Sequence, residues 1–209
     1  MKEYHKINSI WKREIKGEII HGQYSHPVFE YLKNNLWVWT EKVDGTNIRI
    51  HWDGKQVTFG GRTDAASIPA FLVNHLRQVF TEEKMKAKFQ ETEVTLYGEG
   101  YGAKIQKGGG MYKADGQSFV LFDTLIGEWW LERHNLVEIA DNLKTEIVPI
   151  VFTGTIAEAE DKVSAGVKSE WGDFQAEGLV GKPLVEMLSR NGGRVVAKMK
   201  TRDYAKVAV

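Results

Sequence analysis

The chain has 209 residues, 42% of them hydrophobic, with 28 Lys and Arg balanced by 28 Asp and Glu and no cysteine. Without cysteine there are no disulfides, thiolate zinc sites, iron–sulfur clusters or Cys nucleophiles, so any nucleophile is Lys, Ser, Thr or a carboxylate. Zero net charge argues against a protein that coats nucleic acid by bulk charge, yet it allows cations to be gathered in one groove.

The first twenty residues scatter charges through their length and show no uninterrupted apolar run, so neither a signal peptide nor a membrane anchor is expected there. An intracellular, cytoplasmic protein with no membrane partner follows. No repeat, low-complexity tract or proline-rich linker divides the chain, and a single domain over residues 1–209 is the expectation.

Residues 27–35 read as a short helix opened by proline, followed by a strand at 36–42. After Asp44-Gly45, the alternating stretch 46–52 turns at Asp53-Gly54 into a second strand, a hairpin signature. Apolar spacing predicts a helix over 67–90 with Ser67 as N-cap. Strands are expected at 93–98, 118–126, 146–152, 177–182 and 194–200, with helices near 132–144 and 155–165. Hairpins mixed with helices, without regular strand–helix alternation, indicate an α+β fold of antiparallel sheets flanked by helices.

Chemistry enters at Glu41-Lys42-Val43-Asp44-Gly45-Thr46-Asn47. In an extended chain Lys42 and Asp44 point to one face, and Gly45 permits a tight turn. Taken alone, this pair also describes a solvated hairpin end. The run Val195–Lys200 sets Lys198 and Lys200 at the same spacing, and two adjacent cations suit a polyphosphate or a phosphodiester backbone. Between them lie Gly60-Gly61-Arg62, Tyr97-Gly98-Glu99-Gly100, Phe119-Val120-Leu121-Phe122-Asp123 and Ala176-Glu177-Gly178. Each ends or begins an expected strand. By themselves Glu99 and Glu177 read as sheet-end carboxylates and Phe122 as core.

The order of these six segments resembles the covalent nucleotidyltransferase superfamily of polynucleotide ligases and mRNA capping enzymes. Within it, the Lys42 segment and Tyr97–Lys107 are most similar to the ATP-dependent RNA ligases of the phage and RNA-editing group. DNA ligases more usually carry an Arg soon after Lys-x-Asp-Gly, where this chain has Thr46-Asn47, and several close RNA ligases have His where this chain has Asp44. The resemblance implies an ATP-grasp-like nucleotidyltransferase domain. With nine residues after Lys200, no C-terminal oligonucleotide-fold (OB) domain is expected, which leaves end recognition to the core, a helper protein or a separate end-binding domain.

The implied reaction has three steps: ATP adenylates Lys42, AMP passes to a 5′-phosphate end, and a 3′-hydroxyl displaces it, in RNA repair. The implied partners are nucleic-acid ends, RNA preferred. The implied nucleotide-binding residues are Glu41, Lys42, Val43, Asn47, Arg62, Glu99, Phe122, Glu177, Lys198 and Lys200, with Phe122 as the ring stacked on adenine. Arg62 grips a phosphate or the incoming end, and Asn47 orients that end.

An unperturbed lysine, with a reference pKa of about 10.4, attacks phosphorus only after losing its proton. Nearby carboxylates favour the charged form. A divalent cation reverses that field, so Asp44, Glu99 and Glu177 are expected to hold Mg²⁺ or Mn²⁺ through water while Lys198 and Lys200 contact the phosphates. Competing expectations are a minimal ATP-dependent DNA ligase, a ligase sealing nicks in either backbone, and a non-catalytic nucleotide or nucleic-acid binder.

Other features read as ordinary structure. The six His lack metal-ligand spacing, and Gly108–Gly110 lacks the Gly-Lys-Ser/Thr ending and following helix of a phosphate loop, so a flexible loop is expected. Trp129-Trp130 reads as packing, with stacking on single-stranded nucleic acid as the alternative, and the acidic run 158–161 as a solvated helix face.

Overall fold

Glycine, proline and capping side chains set most element boundaries in the structure, a computed structural model that describes residues 1–204. The chain begins with β1 (Asn8–Ser9), β2 (Trp11–Arg13), β3 (Ile19–Tyr24) and the helix α1 (Pro27–Tyr31). Strands β4 (Trp37–Lys42), β5 (Thr46–Trp52) and β6 (Val57–Gly60) lead into helices α2 (Ala70–Val79) and α3 (Glu82–Phe89). Next come β7 (Val94–Gly102), α4 (Gly109–Tyr112), β8 (Gln117–Ile126), β9 (Trp129–Trp130) and α5 (Arg133–Leu143). The chain continues through β10 (Glu146–Ile147), β11 (Ile150–Gly154), α6 (Ile156–Ala165), β12 (Gly178–Pro183), β13 (Ala197–Lys200) and α7 (Thr201–Tyr204).

These elements fall into two compact units, one from Met1–His5 with Asp44–Val148, the other from Lys6–Val43 with the chain from Pro149 onward. In the first, a sheet ordered β10-β8-β7-β5-β6 carries β9 on β8 and is antiparallel except at β10–β8. The inward period-2 residues Ile48, Ile50 and Trp52 of β5 share a core with Leu72 and Leu76 of α2, Met85 of α3 and Ile139 of α5.

The expected helix over 67–90 is two helices. Phe80 closes α2, and the Thr81 hydroxyl accepts the Lys84 amide to start α3. A Thr that satisfies a free backbone N–H favours a new N-terminus over continuation. Pro69, in place of the expected Ser67, stands at the α2 N-cap.

In the second unit the sheet order is β1-β13-β12-β4-β11, beside the β2–β3 hairpin. Along β4 the residues Trp37, Trp39 and Glu41 are buried while Val38, Thr40 and Lys42 are half-buried. The two indoles stack with centroids 5.7 Å apart, anchoring β4 in the core. The expected strand at 146–152 breaks at Pro149, which has no N–H to give a ladder. Its two parts belong to different units.

The acidic run in α6 is not wholly solvated. Glu158 closes a capping box with Thr155, and Glu160 accepts the Trp11 indole N–H at 2.9 Å. No described helix is long and apolar enough to cross a membrane.

Candidate active site

In the second unit the register of three strands gathers the C-terminal motifs. Gly178 of β12 is opposite Lys42 of β4 on one side and Lys200 of β13 on the other. Glu177, one residue earlier, sends Oε2 to Lys42 Nζ at 2.5 Å and Oε1 to Lys200 Nζ at 2.7 Å. A Cβ at Gly178 would lie 1.9 Å from the Met199 carbonyl oxygen, so only glycine lets β12 approach β13 closely enough for this bridge.

Burial pushes the Glu177 carboxyl upward, but the Lys42 and Lys200 ammonium groups outweigh it and hold it below the usual carboxylate range. Lys198 shows the opposite effect. Burial first, then the charges of Lys42, Lys200 and Arg13, push its ammonium below the ordinary lysine value.

Glu41 occupies the other face of β4 and is 2% exposed. Its carboxylate accepts the Ser169 hydroxyl at 2.7 Å and the Glu170 amide at 2.8 Å. These bonds tie the segment preceding β12 to β4. Val43, buried at 3% exposure, ends the unit's first chain segment, Lys6–Val43.

In the first unit Asp44 Oδ2 accepts the Gly108 amide at 2.9 Å. A Cβ on Gly108 would sit 2.5 Å from that oxygen, and one on Gly45 would sit 2.3 Å from the Gly100 carbonyl oxygen. The Gly108–Gly110 stretch is therefore not the expected flexible loop, since its first amide is engaged and its last two residues begin α4.

Asn47 pairs with Glu99 across β5 and β7, and its Oδ1 is buried without a hydrogen bond. A buried acceptor left so is available to a donor from water or a bound group. Phe122 is the extra residue of a β-bulge, since Tyr97 pairs with Asp123 and Gly98 with Leu121. Such bulges re-aim a side chain. The Phe122 ring is half-buried and edge-on to Tyr4 at 5.1 Å, whereas Phe119 is core.

Arg62 is exposed, on a loop organised by a residue that sequence reasoning missed. Arg49 is fully buried and donates to the Gly61 carbonyl at 2.6 Å, the Met1 carbonyl at 3.0 Å and the Asp64 carboxylate at 2.8 Å. An Arg between Ile48 and Ile50 in a buried strand was the available signal. Tyr4, which donates to Asp123 at 2.8 Å, had none. Trp129 and Trp130 part company: Trp129 is 79% exposed, while Trp130 packs with Tyr4 and Tyr97.

Among the described residues no set of three His, Cys, Asp or Glu side chains is grouped to hold a metal directly.

No curated protein matches the sequence. Solved structures of Naegleria gruberi RNA ligase do match the fold. The form with PPi is 23% identical with a TM-score of 0.65, covering 98% of this chain and 63% of that one. A lysine-to-alanine variant with ATP and Mn is 21% identical with a TM-score of 0.66, over 97% and 62%. A lysine-to-methionine variant with AMP and Mn is 22% identical with a TM-score of 0.65, over 95% and 62%. The chain thus spans a little over three-fifths of the length of these solved chains. The family model described as RNA ligase matches residues 35–200, from the start of β4 to the last lysine of β13, and the chain belongs to the RNA ligase family.

Proposed function

We propose that the protein is an ATP-dependent RNA ligase that joins 5′-phosphate and 3′-hydroxyl ends through a lysyl-AMP on Lys42. The observation that carries this reading is Glu177, bridging Lys42 and Lys200 within one sheet of a chain that matches the RNA ligase family. Motif residues come from both units, and the two together are proposed to make one catalytic domain over residues 1–209.

In the first step Lys42 Nζ forms a bond to the α-phosphorus of ATP, and the bond from that phosphorus to the pyrophosphate oxygen breaks. A 5′-phosphate oxygen then bonds to the AMP phosphorus as its bond to Lys42 Nζ breaks, and the 3′-hydroxyl oxygen, giving up its proton, bonds to the 5′-phosphorus as the bond to the AMP oxygen breaks. Lys42 Nζ is paired with Glu177, and an amine attacks phosphorus only after its proton has been given up.

Lys198 and Lys200 supply positive charge where the α-phosphate carries developing negative charge. Phe122 offers a ring face to adenine, Arg62 a guanidinium to a phosphate, and the Asn47 amide an acceptor that lacks a protein donor. Glu41 and Val43 flank Lys42 and position it.

Two of the solved relatives hold ATP or AMP with Mn, and the same cofactors, with Mg²⁺ as the alternative ion, are proposed for this chain. Asp44, Glu99 and Glu177 are ionisable oxygen donors suited to a hard cation. They are proposed to hold it through water. The metal supplies the charge that offsets these carboxylates and the transferring phosphate.

Matched nicked and single-stranded substrates, with RNA or DNA on the 3′-hydroxyl side, test the reading. Faster joining of RNA, abolished by chelator and restored by Mn²⁺ or Mg²⁺, is expected. Equal joining of DNA would overturn the RNA preference, and full activity in chelator the metal.

A further inference from the structure

The second unit contains a cavity of about 1150 Å³ that reaches well past the proposed chemistry. Lys198 and Lys200 line it, and most of the rest of its wall comes from β1 and the residues before it, the β2–β3 hairpin and α7. Seven cationic side chains face two carboxylates there, in a chain whose overall charge is zero. Of the two carboxylates, Asp203 is already paired with Arg13. Lys6, Lys12, Lys16 and Arg202 remain as cations outside the six motifs, all of them exposed.

Their placement is extended. Lys6 precedes β1, whose Ser9 pairs with Lys198, so an extended chain puts Lys6 about 10 Å along from that pair. Lys16 belongs to the hairpin turn, where the Gly17 amide donates to the Glu14 carbonyl at 2.9 Å.

We propose that this groove binds the phosphodiester backbone of a nucleic-acid strand and leads its end toward Lys198 and Lys200. The identity of that end rests on the ligase reading, but the groove's grip on phosphates does not.

Two features favour a strand over the triphosphate tail of ATP. The cavity exceeds the roughly 300–1,000 Å³ of small-molecule sites, and its cations are distributed along several elements instead of converging on one point. Its tryptophan and tyrosine, Trp11 and Tyr204, are each 6% exposed, so neither offers a platform for stacked bases. Recognition then runs through phosphates, is indifferent to sequence and is strongly salt-dependent. The depressed proton affinity of Lys198, which follows from burial and neighbouring cations, is consistent with an excess of positive charge at this end.

The test titrates a labelled, 5′-phosphorylated RNA of about 16 nucleotides, a length within known single-strand site sizes, against the full chain and against a Lys6→Ala/Lys12→Ala/Lys16→Ala variant, without ATP, at several salt concentrations. Each phosphate that the variant no longer neutralises lowers the slope of log affinity against log salt by about 0.7, so a drop of about 2 is expected. Affinity at low salt is expected to fall roughly tenfold or more. Formation of lysyl-AMP from labelled ATP is followed in parallel, and a much smaller reduction is expected there.

Unchanged affinity and slope would overturn the proposal. So would a fall in lysyl-AMP as large as the fall in RNA binding, because the groove would then serve ATP. If the unaltered chain forms no lysyl-AMP at all, the ligase reading fails, while the RNA titration still decides the groove.

Discussion

At Glu177 one carboxylate serves two ammonium groups. Its folded-state pKa lies below the ordinary value, so the stability it contributes is present above the unfolded-state pKa, about 4.3, and is lost as pH falls through the depressed folded value. Denaturant unfolding from about pH 6 to about pH 3 is expected to show the advantage of the unaltered chain over Glu177→Gln shrinking across that acid range. A constant difference would remove Glu177 from the linkage.

Lys198 carries the opposite sign. Its proton is bound less tightly in the folded state, so its charge costs stability below the depressed folded pKa. Lys198→Met is expected to raise the denaturation midpoint near neutral pH while lowering lysyl-AMP formation. A lowered midpoint would contradict this description of a crowded cation.

At the scale of elements, function depends on how tightly backbone segments approach. Gly108→Ala would place a Cβ 2.5 Å from Asp44 Oδ2 and dislodge the amide that orients it. Because small misplacements near reacting groups are costly, adenylation is expected to fall between about tenfold and about 100-fold, with circular dichroism unchanged. Wild-type rates would show that Asp44 does not need this amide. Ser169→Ala removes a hydrogen bond to the buried Glu41 carboxylate and is expected to cost about 1–3 kcal/mol in chemical denaturation.

The elements were legible where the signal was local. The 46–60 hairpin follows from alternation around Asp53-Gly54, and α6 runs where a helix near 155–165 was expected. The 67–90 stretch reads as one helix because apolar spacing continues through Phe80 and hides the new start at Thr81. The Thr followed by Glu82 and Glu83 does carry a capping signal.

At the scale of the molecule, the motif order from Lys42 to Lys200 was visible because each motif is a few residues long; the expectation that each sits at a strand end fails for Tyr97–Gly100 and Phe119–Asp123, which lie inside β7 and β8. The residues that hold the motifs in place were not visible. Arg49 reaches Met1 across 48 positions, Gly108 reaches Asp44 across 64, and Tyr4 reaches Asp123 across 119. No pattern within a short window encodes such pairings. The antiparallel α+β expectation held because it rests on hairpin signals and the absence of strand–helix alternation.

The central claim is that Lys42 carries AMP. The chain is incubated with Mn²⁺ and ATP labelled at the α- or the γ-phosphate, alongside Lys42→Ala, and resolved by denaturing electrophoresis. The account predicts label from the α-position alone, lost in Lys42→Ala. Label that persists without Lys42, or that arises from GTP and not from ATP, would contradict it.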